Sequence, residues 1–325
     1  MWKLGNLEIK GKVVLAPMAG VTSAGYRKYL NTFGVDVAVS EMVSDMGLLY
    51  QNKETESYVI YEKEETITGV QLFGAKPENL AKAVAVSLTL NSNIDFFDVN
   101  MGCPVPKVTK TGAGSTLMLN PKLCGDIIRA MKSATDKPVT AKIRLGYNEV
   151  NFLDVIKELE DAGVDAIAIH ARTRKELYMG TPHYDLIKDL RSKMKVPLIV
   201  SGNIYTLDDA INALEITGAD AVMVARGGMG NPYLITQIKH YFETGERLPN
   251  PSFLEQCEYC LELAKSMCEE KGELTAMRIY RGIAPKFFSG FANSRTIRTV
   301  LATSLTDYQS LVNILDEFKK ENMKF

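Results

Sequence analysis

"VPLIVSGNIYTLDDAINALEITGADAVMVARGGMGNP", residues 196–232, holds a strand, a helix and a second strand in one short span. The first apolar run, Pro197–Ser201, ends in Ser-Gly-Asn. A helical pattern, "YTLDDAINALEITGAD", follows it. Gly218 stands where a helix ends in left-handed backbone. Ala219–Ala225 begins a new apolar run directly behind it. Both runs are continuously apolar rather than alternating, which suits parallel strands buried on both faces.

The same unit recurs toward the N-terminus. Further strand-like runs are Val13–Pro17, Val35–Ser40, Ile67–Phe73, Ile94–Asn100, Pro138–Arg144 and Ala166–His170. Helical patterns separate most of them: "PENLAKAVAVSLTL", "NPKLCGDIIRAMKSAT" and "NFLDVIKELEDAGV", with "GNPYLITQIKHYF" after the last strand. Pro77 and Pro121 fall in first turns, a favoured place for proline. Eight such strands over roughly 240 residues predict an α/β protein of the (β/α)8 TIM-barrel class. An open doubly wound sheet is the rival, but no GxGxxG follows the first strand.

After about residue 245 the strands stop. "RLPNPS" reads as a linker, and 253–270, 273–282, 294–302 and 306–322 read as helices. The expected division is a barrel over 1–245 and a small all-helical C-terminal domain over 246–325.

Composition is that of a globular chain, 46% apolar and 24% charged, without the run of about 18 apolar residues a membrane span needs. The N-terminal "MWKLGNLEIKGK" lacks the apolar stretch of a secretory signal, so the expectation is a cytoplasmic protein. Five cysteines, an odd number, argue against a disulfide framework. Cys257 and Cys260 form a CxxC with no second pair to complete a zinc set, and their helical surroundings suggest small core residues. The net charge is −1, but residues 271–300 carry Lys271, Arg278, Arg281, Lys286, Arg295 and Arg298 against Glu273 alone. That segment is basic and the remainder acidic.

A (β/α)8 barrel presents its chemistry at the C-terminal ends of its strands. Here the strands end in Pro17-Met18-Ala19-Gly20, Ser40-Glu41, Gln71, Asn100 before Cys103, Lys142 with Arg144, His170 with Arg172, Ser201-Gly202-Asn203, and Arg226-Gly227-Gly228. A lone lysine on a strand ordinarily points to solvent, and a lone histidine is ordinarily a satisfied core residue. Hydrogen-bonding groups at the ends of eight strands, however, converge on one mouth, where buried polar atoms need partners. The glycine-rich ends of the last two strands, with Arg226, suit a phosphate group. By themselves they fit aldolases, isomerases and flavin enzymes equally.

"VVLAPMAGVT", "GVQLFG", "DVNMGCPVPKV…GAGSTLM", "VTAKIRLGY", "HARTRKELYMG", "SGNI" and "ARGGMGNP", in this order, resemble the tRNA-dihydrouridine synthases, most closely a bacterial, B-like branch. The resemblance covers about residues 5 to 240. It implies FMN bound non-covalently, NADPH as reductant and tRNA as partner. By the same resemblance, Pro17, Met18 and Ala19 would line the flavin, and Gln71, Lys142 and His170 would contact its ring. Ser201, Gly202, Asn203, Ala225, Arg226 and Gly227 would hold the phosphate end. Asn100 and Arg144 would face the uracil with Arg172 close by, and Cys103 would be the general acid. The sequence departs from the family at Ser201, where Asn is common, at Ala225, where Gly is common, and at Glu176, where Gln is frequent. Arg278 is followed by Ile279 and Tyr280, which keeps the family's C-terminal pattern only in part.

The resemblance gives the thiol a task. Saturating a uracil ring takes a hydride at C6 and a proton at C5, and a thiol with a pKa of about 8.5 holds its proton at neutral pH. Lys142 and Arg144, two apart on one strand, share a face. Arg278 with Arg281, and Arg295 with Arg298, share helix faces, and with Tyr280, Phe287, Phe288 and Phe291 interleaved they read either as an RNA surface or as a solvated face over an aromatic core. Arg278, Arg295 and Arg298 are the expected tRNA contacts. Two other functions remain open at this level: a flavin reductase of a free pyrimidine or enone, and a tRNA-binding protein without catalysis.

Overall fold

The computed structural model describes residues 1–62, 66–291 and 294–322; the last residues of the expected 246–325 region lie outside that description. Two short strands, β1 (Trp2–Leu4) and β2 (Leu7–Ile9), pair antiparallel around Gly5, whose φ of +59° suits a tight turn. The alternation of "WKL" buries Trp2 and Leu4 and exposes Lys3. This hairpin was not among the strands expected from sequence, because three residues are too few for periodicity to register.

Eight parallel strands follow: β3 (Val13–Leu15), β4 (Val37–Ser44), β5 (Ile67–Phe73), β6 (Phe96–Asn100), β7 (Val139–Gly146), β8 (Ile167–Thr173), β9 (Leu198–Ser201) and β10 (Ala221–Val224). They close a barrel in which β10 returns to pair with β3. The expected strands are all present, with boundaries shifted. β4 runs on to Ser44 through an irregularity between Val39 and Met42, so Ser40 and Glu41 lie inside it.

The continuous apolar runs are explained by two buried faces. Val70, Leu72, Phe97, Val99, Ala141, Ile143, Ile167 and Ile169 face the helices. Val14, Val37, Val39, Phe96, Ala168, Ile199 and Met223 fill the barrel with Trp2, Leu4 and Ile9 of the hairpin. Gly5 lies against Pro138 and Asp165, just ahead of β7 and β8, so the hairpin plugs the N-terminal end. At Gly69 a Cβ would fall 2.4 Å from the Phe96 ring; its absence lets Phe96 fill the interior. The apolar filling leaves the opposite end to polar side chains.

The expected helices form at Pro77–Leu90, Pro121–Ser133, Phe152–Asp161, Leu207–Thr217 and Tyr233–Thr244. Gly218 ends the fourth in left-handed backbone, as its sequence position predicts. Beyond the barrel come Phe253–Lys271, Glu273–Tyr280, Ser294–Ser304 and Tyr308–Asn322. This helical region shares its core with the barrel's outer layer. Cys257 and Cys260 are fully buried there, and the Tyr280 hydroxyl donates to the Cys260 carbonyl at 2.5 Å. Glu270 accepts from the Gly25 backbone N–H at 2.7 Å and from the Ser23 hydroxyl, capping the barrel helix Ala24–Asn31. The turn Ala284–Phe288 lies so close to the short helix Arg226–Gly230 that a Cβ on Gly230 would meet the Lys286 carbonyl at 2.3 Å. Among the described residues, no helix is long and apolar enough to cross a membrane.

Candidate active site

The C-terminal end of the barrel opens into a cavity of about 430 Å³. Every residue that sequence assigned to a cofactor lines it: Pro17, Met18, Ala19, Gln71, Lys142, His170, Ser201, Gly202, Asn203, Ala225, Arg226 and Gly227. Asn100, Cys103 and Arg144 line it too. Arg172 does not. Gln71, Asn100, Lys142, Arg144 and His170 reach the cavity from inward strand positions, and most of the others from the loops directly after β3, β6, β9 and β10.

The turn after β6 presents the thiol. Asn100 Oδ1 accepts from the backbone N–H of Cys103 at 2.8 Å and of Gly102 at 3.1 Å. On the far side, the Ser115 N–H and hydroxyl donate to the Cys103 carbonyl at 3.0 and 2.9 Å. Gly114, at φ +62°, makes that approach possible, since a Cβ there would fall 2.8 Å from the same carbonyl. The "GAGS" stretch is therefore the clamp on the thiol loop. Burial pushes the Cys103 thiol up from its ordinary value, against the pull of the nearby Val105 backbone and of Arg144 and Lys142. The thiol stays protonated at neutral pH.

Lys142 and Arg144 project from the same face of β7, as their spacing predicted. Burial, then the charge of Arg144, brings the Lys142 ammonium down to about 8. Arg144 is spent largely on carbonyls. Its Nε donates to Gly102 at 2.6 Å, and its Nη1 donates to Thr173 at 3.0 Å and Leu177 at 2.8 Å. It thereby ties the thiol loop to the loop after β8, besides facing the cavity.

Arg172 departs from its expected place beside a substrate. It is fully buried, donating to the Met179 carbonyl at 2.9 Å and to the Gly180 carbonyl, with Nη1 3.1 Å from His170 Nε2. A guanidinium only donates, so His170 Nε2 accepts and the ring proton sits on Nδ1. Burial and the charges of Lys142, Arg144, Arg172 and Arg226 hold His170 well below its ordinary pKa, so the ring is neutral.

The loops after β9 and β10 meet on the opposite wall. Gly202 (φ +136°) and Asn203 (φ +48°) turn the chain, and the Tyr184 hydroxyl donates to the Gly202 carbonyl at 2.6 Å. A Cβ on Gly227 would lie 2.0 Å from the Ile204 carbonyl, so only glycine lets these loops touch. Arg226 is exposed, 3.4 Å from Asn203 Oδ1, with the rings of Tyr178 and Tyr205 at 5.3 and 5.6 Å.

Sequence reasoning missed several contributors. Tyr178 lines the cavity and lies over both Arg144 and Arg226; a single aromatic in a loop carries no periodic signal. Met42 lines the cavity in place of the expected Ser40 and Glu41, which do not; Glu41 instead accepts from the Gly20 N–H at 2.6 Å and braces the Pro17–Gly20 loop. Asp98 lies behind the wall, and its position two residues before Asn100 was the available clue. Among the described residues, no aspartate or glutamate lines the cavity, whereas Lys142, Arg144 and Arg226 do. The site is built for an anion.

In the helical region Arg278, Arg295 and Arg298 are exposed and, among the described residues, enter no ion pair, while Tyr280, Phe287 and Phe288 are buried. The aromatics are therefore core. Lys271 is held by Glu270 at 3.3 Å, and Arg281 donates to the Leu305 carbonyl at 2.7 Å.

Residues 14–323 match the family model described as dihydrouridine synthase (Dus). The chain is similar to "tRNA-dihydrouridine synthase B" of Shewanella oneidensis, 36% identical over 281 residues, covering 86% of this chain and 87% of that one. A protein of the same name from Vibrio vulnificus shows 36% identity over 281 residues, with 86% and 87% covered. A "Probable tRNA-dihydrouridine synthase" of Rickettsia conorii is 35% identical over 301 residues, covering 92% of this chain and 90% of that one.

Proposed function

The chain belongs to the dihydrouridine synthase family, and from that premise we infer that the cavity at the barrel mouth carries its chemistry. The protein is a tRNA-dihydrouridine synthase, an oxidoreductase that saturates the C5–C6 bond of uridines in tRNA. The observation that carries the reading is the thiol of Cys103 in one cavity with Lys142, Arg144 and Arg226 and, among the described residues, no carboxylate in the lining.

FMN is the cofactor this site suits, with NADPH as its reductant. Arg226, Gly202, Asn203 and Gly227, with Ser201 and Ala225, hold the phosphate. Pro17, Met18, Ala19, Gln71, Lys142 and His170 hold the ring. Lys142, a cation held in low dielectric, favours negative charge there. His170 offers its Nδ1–H as a donor. Reduced flavin supplies the hydride for C6 when bound.

Cys103 holds the proton for C5. A raised pKa suits an acid that must keep its proton until charge develops on the uracil. Asn100 faces the uracil, and Arg144 fixes the thiol loop while presenting its remaining N–H groups. The uridine must leave its stack to reach the mouth. The helical region 246–325 docks the tRNA through Arg278, Arg295 and Arg298, whose exposed charges suit phosphates. Those exposed cations favour tRNA over a free small molecule.

The test is direct. Purified protein is denatured and the released flavin identified, with FMN expected. Enzyme reduced by NADPH under nitrogen is then mixed with tRNA lacking dihydrouridine, or with free uridine. Rapid reoxidation by tRNA alone is expected. FAD in the released fraction, or equal reoxidation by uridine, would overturn the reading.

A further inference from the structure

Asp98 is buried in the barrel, behind the cavity wall. Its carboxylate accepts from Gln71 Nε2 at 2.6 Å and from the Thr140 hydroxyl at 2.6 Å. Gln71 Oε1 accepts in turn from Asn100 Nδ2 at 2.7 Å. Asn100 Oδ1 accepts from the Cys103 and Gly102 backbone N–H groups. Residues of β5, β6 and β7 thus form one chain of hydrogen bonds that ends on the thiol loop.

Chemistry permits this chain a single direction. A backbone N–H only donates, so Asn100 turns its oxygen to the loop and its nitrogen to Gln71. Gln71 then accepts with its oxygen, and its nitrogen requires an acceptor. An ionised carboxylate is acceptor-only. With Gln71 flipped, N–H would face N–H at Asn100 and oxygen would face oxygen at Asp98. Buried mismatches of that kind cost more than an ordinary hydrogen bond contributes.

We propose that Asp98 is a positioning residue for the thiol. As terminal acceptor it holds Gln71 in the orientation that Asn100 requires, and through that pair it steadies the place of Cys103. Gln71 keeps one N–H for the ligand, while the second N–H of Asn100 lies toward Met42 Sδ at 3.8 Å. What the thiol does rests on the function proposed above; the hydrogen-bond chain does not. Thr140 can donate or accept. Asparagine at 98 therefore preserves the chain, taking Gln71 on its oxygen and giving its NH₂ to Thr140. Alanine cannot.

The experiment compares Asp98→Asn with Asp98→Ala, and Gln71→Leu cuts the middle link should Asp98→Ala fail to fold. The first readout needs neither flavin nor tRNA: the pH profile of Cys103 alkylation by iodoacetamide, followed on the Cys103 peptide by mass spectrometry. Wild type and Asp98→Asn should coincide. Asp98→Ala and Gln71→Leu should react about five- to tenfold faster, the change that one lost hydrogen bond allows. The second readout is reoxidation of the reduced flavin by tRNA, expected to be slow in Asp98→Ala and kept in Asp98→Asn. An Asp98→Asn variant that matches Asp98→Ala would overturn the proposal, because charge rather than acceptance would then be what matters. So would an Asp98→Ala, or failing that a Gln71→Leu, with the wild-type alkylation profile. A wild type that does not reduce tRNA, with the alkylation pattern intact, would overturn the function reading and leave the positioning role standing.

Discussion

Lys142 offers a measurable test of what the cavity holds. Its ammonium lies beside Arg144, with no carboxylate in the lining. Its pKa falls from 10.5 to about 8. At 1.36 kcal/mol per pH unit, keeping that charge in the cavity costs about 3 kcal/mol. An anionic ligand removes the cost. The lysine is charged below about 8 and neutral above it, and an anion prefers the charged form. FMN affinity should therefore be full at neutral pH and fall as pH rises past about 8, by up to about tenfold per pH unit. If the bound anion restores the ordinary 10.5, the total fall is about 300-fold. Lys142→Met keeps the bulk and removes the charge. Its affinity should be weaker at neutrality by up to about that factor, and its pH profile flat. The assay is quenching of FMN fluorescence on titration into apoprotein, in a Cys103→Ala background so that the thiol does not titrate as well. A flat wild-type profile from neutrality into the ordinary lysine range would refute the argument, as would the same slope in Lys142→Met.

Cys103→Ala should keep its flavin and its reduction by NADPH but lose about 10²–10⁴-fold in flavin reoxidation by tRNA; reoxidation at the wild-type rate would remove the thiol from the reaction. Because the acid acts while protonated and burial raises its pKa, the alkaline loss of that half-reaction should lie above the ordinary thiol range of about 8.5 to 9.0, and a midpoint below that range would contradict the burial argument. Arg295→Ala with Arg298→Ala should reduce the slope of log affinity against log salt by about 1.5 for two lost phosphate contacts, leaving flavin content unchanged; an unaltered slope would place tRNA elsewhere. Trp2, 7% exposed and donating to the Gly11 carbonyl at 2.9 Å, plugs the barrel, so Trp2→Ala should lower stability by about 3–5 kcal/mol in denaturant unfolding. A loss under about 1 kcal/mol would mean the hairpin does not support the barrel.

The barrel was legible in residues 196–232 because a strand buried on both faces has no polar alternation to hide its apolar run, and Gly218 marks the helix end by a conformation that only glycine adopts easily. Strand periodicity also placed Lys142 with Arg144 on a common face, since every second side chain points the same way. Cys103 and the cavity residues at seven of the eight strand ends were recoverable from local pattern and family motif; the clamp at Gly114 and Ser115 was not. Depth was not. A period of two says which residues share a face, but not whether that face meets a ligand or a neighbouring carbonyl. Hence Arg172, on the same face as His170, proved to be a buried strut that sets the histidine tautomer. Tyr178 and Met42 reach the site from a loop and a strand irregularity, where no period exists to read. The direction of the Asp98–Gln71–Asn100 chain required three strands at known register, because a hydrogen bond between residues some 27 positions apart leaves no mark on local sequence. What the chain's own order determined was the barrel and its chemistry-bearing ends; closure of the sheet determined which of those groups face one another, and so which carry a proton, which carry charge and which only hold the others in place.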